Sequence, residues 1–278
     1  MTEKRIIYYE DELNDEFSEA KIEAKRIDGK YRYVRDGFFA KIYSFFMYRI
    51  IFMPFSFLYM KIKYGFSIKN RKALKAAKDG FFIYANHTAA DADPYLPTMA
   101  AFPKDVFVVV HAANVSMPVL GKITPYIGAL PLPDDAEATR NFLAAIEKRC
   151  KQKAAICIYP EAHIWPKCTF IRNFKDASFR YPIKFDKPVY SLTNVYTTRK
   201  LSKTPKMTTY IDGPFYPDRS LPVGVARKKL RNEVYNAMCE RAKLSDYDKI
   251  AYVKAERKEQ NYQADKGQNY QADREEEL

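Results

Sequence analysis

The chain has 278 residues, 47% of them hydrophobic and 15% aromatic, and 47 Lys and Arg against 34 Asp and Glu give it a formal charge of +13. That length supports one large domain or two small ones around a sizeable core, and the composition excludes a wholly disordered chain and a polytopic membrane protein. The positive excess favours a polyanionic partner, either an anionic membrane surface or nucleic acid. No nucleic-acid partner is expected, because the chain lacks a zinc-finger spacing, an RNP-like aromatic strand and a helix-turn-helix cue. Cys150, Cys157, Cys168 and Cys239 form no CxxC pair, and they read as reduced, buried thiols of a cytoplasmic compartment.

In chain order, residues 1–37 are a polar extension of mixed charge, without the apolar core of a secretory signal. A short strand is predicted at residues 31–34. Residues 38–63, FFAKIYSFFMYRIIFMPFSFLYMKIK, are densely aromatic and interrupted by Lys41 and Arg49. No run there reaches the ~18 uninterrupted apolar residues of a spanning helix, and Pro54 is expected to end or kink any helix. The segment reads as one or two helices lying in a bilayer interface. A core helix pair with two snorkelling cations is the alternative.

From residue 64 strands alternate with helices. Strands are predicted at 66–68, 81–85, 105–110, 154–159, 189–196 and 207–213, and helices at 71–78, 136–152 and 225–243. Strands separated in this way indicate an α/β domain, residues 64–245, with a largely parallel central sheet flanked by helices. Residues 246–278 read as a polar, solvated tail that contains QNYQAD twice, at 260–265 and 268–273. The KxK and RKK runs (61–63, 227–229) read as solvated faces.

The most informative stretch is Tyr84-Ala-Asn86-His87-Thr-Ala-Ala-Asp91-Ala-Asp93-Pro94. A strand ends and a His and two Asp follow, and open α/β sheets bind ligands at the carboxyl ends of their strands. A His there can take a proton from an alcohol while a carboxylate fixes its tautomer; helix N-capping by Asp91 is the plainer reading. The second stretch is Ile158-Tyr159-Pro160-Glu161-Ala162-His163, where Pro160 stops another buried strand and places Glu161 at its carboxyl end. His111 follows a strand and reads as a hydrogen-bonded structural residue. Trp165 reads equally as packing or as the lining of an acyl pocket or lipid interface.

These blocks resemble, in order, those of the glycerol-phosphate and lysophosphatidate acyltransferases, over roughly residues 64–240. NHTAADAD resembles the NHxxxxD block, MPVLGKITPYIGALPLPDD (117–135) the next, IYPEAH the FPEG block, and Lys187-Pro188-Val189-Tyr190 the last; Phe174-Lys175 resembles the pair between the third and fourth. The resemblance implies His87 as general base and Asp93 as its partner, with Asp91 in reserve because the usual spacing falls on Ala92. It implies Glu161 and nearby cations as acceptor ligands. The FPEG glycine is Ala162, and the Arg expected after GALPL is replaced by Pro133 and Asp134, so either Arg140, Lys122, Arg172 or Lys175 substitutes as a phosphate ligand or the acceptor is a different lysolipid.

The expected activity is transfer of a fatty acyl group from an acyl thioester to the hydroxyl of a lysophospholipid or glycerol-phosphate-type acceptor. It would take place on the cytoplasmic face of a membrane, with the protein peripheral or monotopic. A catalytically silent lipid-binding member of the same fold is the alternative. No cofactor is expected beyond acyl-CoA or acyl-carrier protein as co-substrate. No metal is expected either, since His87, His111 and His163 are scattered and make no HExxH pattern.

Overall fold

The computed structural model describes residues 4–18 and 22–255; both copies of QNYQAD lie outside the described residues. The first strand, β1 (Arg5–Tyr9), lies inside the expected polar extension. Residues 31–34 are not a strand. Tyr33 instead turns inward, and its ring meets Phe142 edge-on at 5.6 Å.

The aromatic segment is one continuous helix of 27 residues, Phe38–Tyr64. It comprises α1 (Phe38–Phe45), a π-helical stretch (Phe46–Phe52) and α2 (Met53–Tyr64). Pro54 therefore does not break it. The proline falls in the first turn of α2, where the register passes from π to α bonding and a missing N–H is tolerated.

Every fourth residue of the long helix faces the domain. Ser44 donates to the Tyr126 carbonyl at 2.5 Å, Tyr48 bonds Thr98, Phe52 stacks on Tyr95, and Ser56, Met60 and Tyr64 are buried. A strict four-residue stripe drifts around an ordinary α-helix, and the wider i→i+5 turns of the π stretch reduce that drift. By length and composition the helix could cross a membrane, but it is clamped lengthwise to the domain. Its outer side exposes Phe38, Phe39, Phe45, Phe55, Leu58 and Ile62.

The domain itself runs β2 (Ser67–Lys69), α3 (Lys72–Ala76), β3 (Phe81–Ala85), α4 (Leu96–Ala101), β4 (Val106–Val110), α5 (Leu120–Ile123), β5 (Ala129–Pro131) and α6 (Ala136–Lys151). Then come β6 (Ala155–Ile158), α7 (Arg180–Phe185), β7 (Val189–Arg199), β8 (Ser202–Phe215), α8 (Val223–Ala242) and β9 (Ile250–Lys254). Seven strands form one sheet in the order β2-β8-β7-β3-β6-β4-β5. All neighbours are parallel except the β7–β8 hairpin.

The sheet is buried on both faces, which is why its central strands are continuous apolar runs. Phe82 and Tyr84 of β3 pack with Phe142 and Ile146 of α6 and with Leu230, Val234 and Met238 of α8. Phe81, Ile83 and Ala85 face the other way, towards Leu74 of α3 and Ala100 of α4. The fold is thus an α/β domain with a mostly parallel sheet, preceded by an apolar helix.

β9 falls where a solvated tail was expected, and it pairs in parallel with β1. The pair is held against the domain through Trp165, which is fully buried. Its ring lies 4.7 Å from Tyr9 and 4.9 Å from Tyr252, and its indole N–H donates to the Asp15 carbonyl at 2.8 Å. Trp165 is a packing residue.

Candidate active site

β3 and β6 are parallel neighbours, and their register places Tyr84 beside Ile158. His87 and Glu161 each lie three residues beyond those partners, so both emerge side by side at the carboxyl edge of the sheet. The Glu161 carboxylate accepts the His87 backbone N–H at 2.9 Å through Oε2. It also accepts the Arg172 backbone N–H at 3.0 Å and an Arg172 guanidinium N–H at 3.1 Å. Arg172 donates in addition to the His163 carbonyl, and its guanidinium lies over Trp165. Glu161 and Arg172 are both buried, and together they fasten the loop after β6 to the backbone of His87.

The carboxylate that meets the His87 ring is Asp93, at 2.7 Å between Nδ1 and Oδ2. The same oxygen accepts the Ala89 N–H at 3.0 Å, while Oδ1 is buried without a partner. Burial raises the Asp93 pKa above the ordinary carboxylate value, against the opposing pull of His87 and Ala89. Tyr159 stacks on the imidazole at 4.4 Å and donates to the Asp93 carbonyl at 2.6 Å. With Nδ1 engaged by the carboxylate, Nε2 of the partly exposed ring is the nitrogen left to act as a base.

Asp91 has a different task and is not a helix N-cap: α4 begins after Tyr95 without a side-chain cap. Its carboxylate takes hydrogen bonds from Tyr59 at 2.6 Å, Tyr64 at 2.9 Å and Lys63 at 2.5 Å. Burial opposes its ionisation, but those donors outweigh burial and hold its pKa below the usual value. Lys63 therefore belongs to an ion pair rather than to a solvated run, and the long helix is tied to the loop after β3 through Asp91.

The other expected ligands are dispersed. Lys122 on α5, Arg140 on α6 and Lys175 beyond Arg172 are exposed. Among the described residues none of them bonds to His87, Asp93, Glu161 or Arg172. Asp134, at the position of the missing Arg, accepts the Ile27 N–H at 2.7 Å and pins the N-terminal segment. Ala162, at the FPEG glycine, has φ +63°, in the left-handed region that favours glycine.

Lys167 lies outside the sequence blocks that carry the expected site residues. Its backbone N–H donates to the Thr88 carbonyl at 2.8 Å, and burial, helped by the nearby Lys63 charge, lowers its pKa. No motif marks it; only the fold of the 161–174 loop brings it beside the carboxyl end of β3. His111 caps a short 3₁₀ turn, its Nδ1 accepting from Ala113. Burial pushes the Cys150 and Cys168 thiols up to about 12, and all four cysteines are free. Among the described residues no cluster of ligands for a metal ion is present.

Residues 66–195 match a family model described as Acyltransferase. Among solved structures the chain is similar to the 1-acyl-sn-glycerophosphate (LPA) acyltransferase PlsC from Thermotoga maritima, at 16% identity and a TM-score of 0.48, covering 73% of this chain and 94% of that one. No curated protein sequence matches at a significant level.

Proposed function

We propose, on the match of residues 66–195 to the acyltransferase family model, that the protein moves a fatty acyl group from an acyl thioester to a glycerolipid-type hydroxyl at a membrane surface. The observation that carries this reading is the His87–Asp93 bond at the carboxyl edge of the sheet, with Nε2 left free. In the reaction, Nε2 accepts the acceptor's hydroxyl proton as that oxygen attacks the thioester carbonyl. The tetrahedral intermediate collapses to the ester, and the departing thiolate takes the proton back from the imidazolium. Asp93 holds the tautomer and balances the imidazolium charge while it exists.

Glu161 and Arg172 act here by fixing the loop that carries His87, since the Glu161 carboxylate accepts from the His87 backbone and from the Arg172 guanidinium. An acceptor phosphate is assigned to Lys167, beside the catalytic strand end, with Lys122, Arg140 and Lys175 as outlying cations. The apolar outer side of the long helix supports a monotopic attachment: a helix clamped lengthwise lies along a surface, and its aromatic side would enter the interface of a cytoplasmic leaflet. Long-chain acyl-CoA or acyl-carrier protein would be the donor, with no further cofactor.

The test is mass-spectrometric detection of product from both donors across a panel of lysophospholipids and glycerol 3-phosphate. An acceptor-dependent ester is expected. No product from any pair would leave the catalytically silent lipid-binding reading in its place.

A further inference from the structure

A cavity of about 490 Å³ lies far from His87. Its walls include Val106 at the start of β4, Gly128 just before β5 and Ala154 just before β6. These strands run parallel to β3, so the cavity opens at the amino edge of the sheet. His87 sits beyond the carboxyl edge, a strand length or on the order of 15 Å away.

Four cations line this cavity, Arg35, Lys41, Arg49 and Arg149, against the two carboxylates of Asp36 and Asp105. Both carboxylates are already engaged. Asp105 takes Arg49 at 2.6 Å, and Asp36 takes Arg149 at 3.0 Å and Lys148 at 2.5 Å. Each arginine is anchored at one nitrogen and leaves another unsatisfied: Arg49 Nη1 and Arg149 Nε are buried without a hydrogen-bond partner. Arg149, itself nine-tenths buried, also lies over the Phe107 ring at 4.4 Å. Among the described residues neither Arg35 nor Lys41 has an acidic partner. Leaving buried guanidinium N–H groups unpaired is unfavourable, and two of them beside two cations without acidic partners favour an oxyanion.

The remaining wall is the long helix. Lys41, Ser44, Phe45 and Tyr48 come from it, and Phe45 is also part of its exposed apolar side. The anion's neighbour is therefore an apolar surface. We infer that this cavity is a non-catalytic site for the phosphate group of an anionic phospholipid headgroup, seated between the interfacial helix and the amino edge of the sheet. The phosphate would meet the arginines, and the glycerol and first acyl carbons would leave past Phe45 towards the bilayer. This inference rests on the interfacial reading of the helix, not on acyl transfer.

The test is titration calorimetry of the full chain with dihexanoyl phosphatidylglycerol below its micellar concentration and, separately, with inorganic phosphate. The lipid is expected to bind at least about tenfold tighter than phosphate. The double variant R35Q/K41Q, both at solvent-accessible rim positions, is expected to weaken lipid binding at least about tenfold, and K61Q/K69Q, which removes two charges elsewhere, less than about twofold. Equal affinity for lipid and phosphate would overturn the headgroup assignment. Equal losses in the two double variants, or none in R35Q/K41Q, would overturn the site. Flotation with phosphatidylcholine vesicles, with and without phosphatidylglycerol, separates the premise. A wild-type chain that floats with neither contradicts the interfacial helix, whereas one that floats equally with both keeps the helix and contradicts the headgroup site.

Discussion

The loop between β3 and α4 has an inner and an outer side, and the carboxylates on them are two residues apart yet oppositely tuned. On the inner side Asp93 is buried, has one oxygen without a partner, and has its pKa raised by burial. On the outer side Asp91 has three donors, Lys63 among them, which outweigh burial and lower its pKa. Residue type and spacing are shared, so the difference comes from partners and solvent. The inner side stores an unfavourable charge next to His87, which an imidazolium would relieve. The outer side spends its charge on holding the long helix.

Asp93→Asn is expected to have the largest effect. On the proposed mechanism kcat falls by ~10³ to 10⁴, because the tautomer is no longer fixed and the imidazolium loses its counter-charge. The unfolding midpoint should stay or rise, since the buried ionised carboxylate costs stability above the unfolded value of 3.8. A strongly lowered midpoint in thermal denaturation would mean that Asp93 is there for structure. Next in size is Glu161→Gln, which leaves Arg172 buried beside a neutral partner and is expected to cost about 3 kcal/mol of stability. Urea unfolding with no loss would show that the pair does not secure the loop.

Asp91→Asn should be milder, about 1 kcal/mol, because Lys63 and Asp91 are partly exposed and the pair is screened. Its pH dependence carries the sign of a depressed carboxylate. The contribution is complete above the unfolded value of 3.8 and disappears as pH falls through the lower folded value. The difference in unfolding free energy between wild type and variant should thus be flat from pH 7 to pH 5 and vanish only in stronger acid. A difference already fading near pH 6 would assign the effect to another group. Of similar size but opposite sign is Ala162→Gly, expected to add about 1 kcal/mol by relieving a left-handed backbone; a lowered midpoint in thermal denaturation would show that the alanine methyl contributes packing.

The central strands were legible in the sequence because burial on both faces makes each a continuous apolar run. β3 coincides with the expected 81–85, and β4 and β6 differ from expectation by single residues at their ends. The pairing of β1 with β9 was not legible. Each is a short mixed strand whose partner lies at the other end of the chain, and no local pattern reports such a register. Pro54 misled for a physical reason, since a helix that switches bonding register absorbs a missing donor at the switch.

At the site, His87 and Glu161 could be placed at strand ends from the sequence, but spacing left Asp91 and Asp93 open. Only the loop's path decides which carboxylate turns inward. Lys167 was invisible because its position depends on the 161–174 loop crossing back over Thr88.

The role of His87 as base in acyl transfer is tested by release of free thiol from long-chain acyl-CoA, with a lysolipid acceptor, by the wild-type protein and by His87→Ala matched for folding by circular dichroism. Acceptor-dependent release by the wild type is expected, with a loss of at least about 10³-fold in the variant. Release that persists undiminished in His87→Ala would contradict that role.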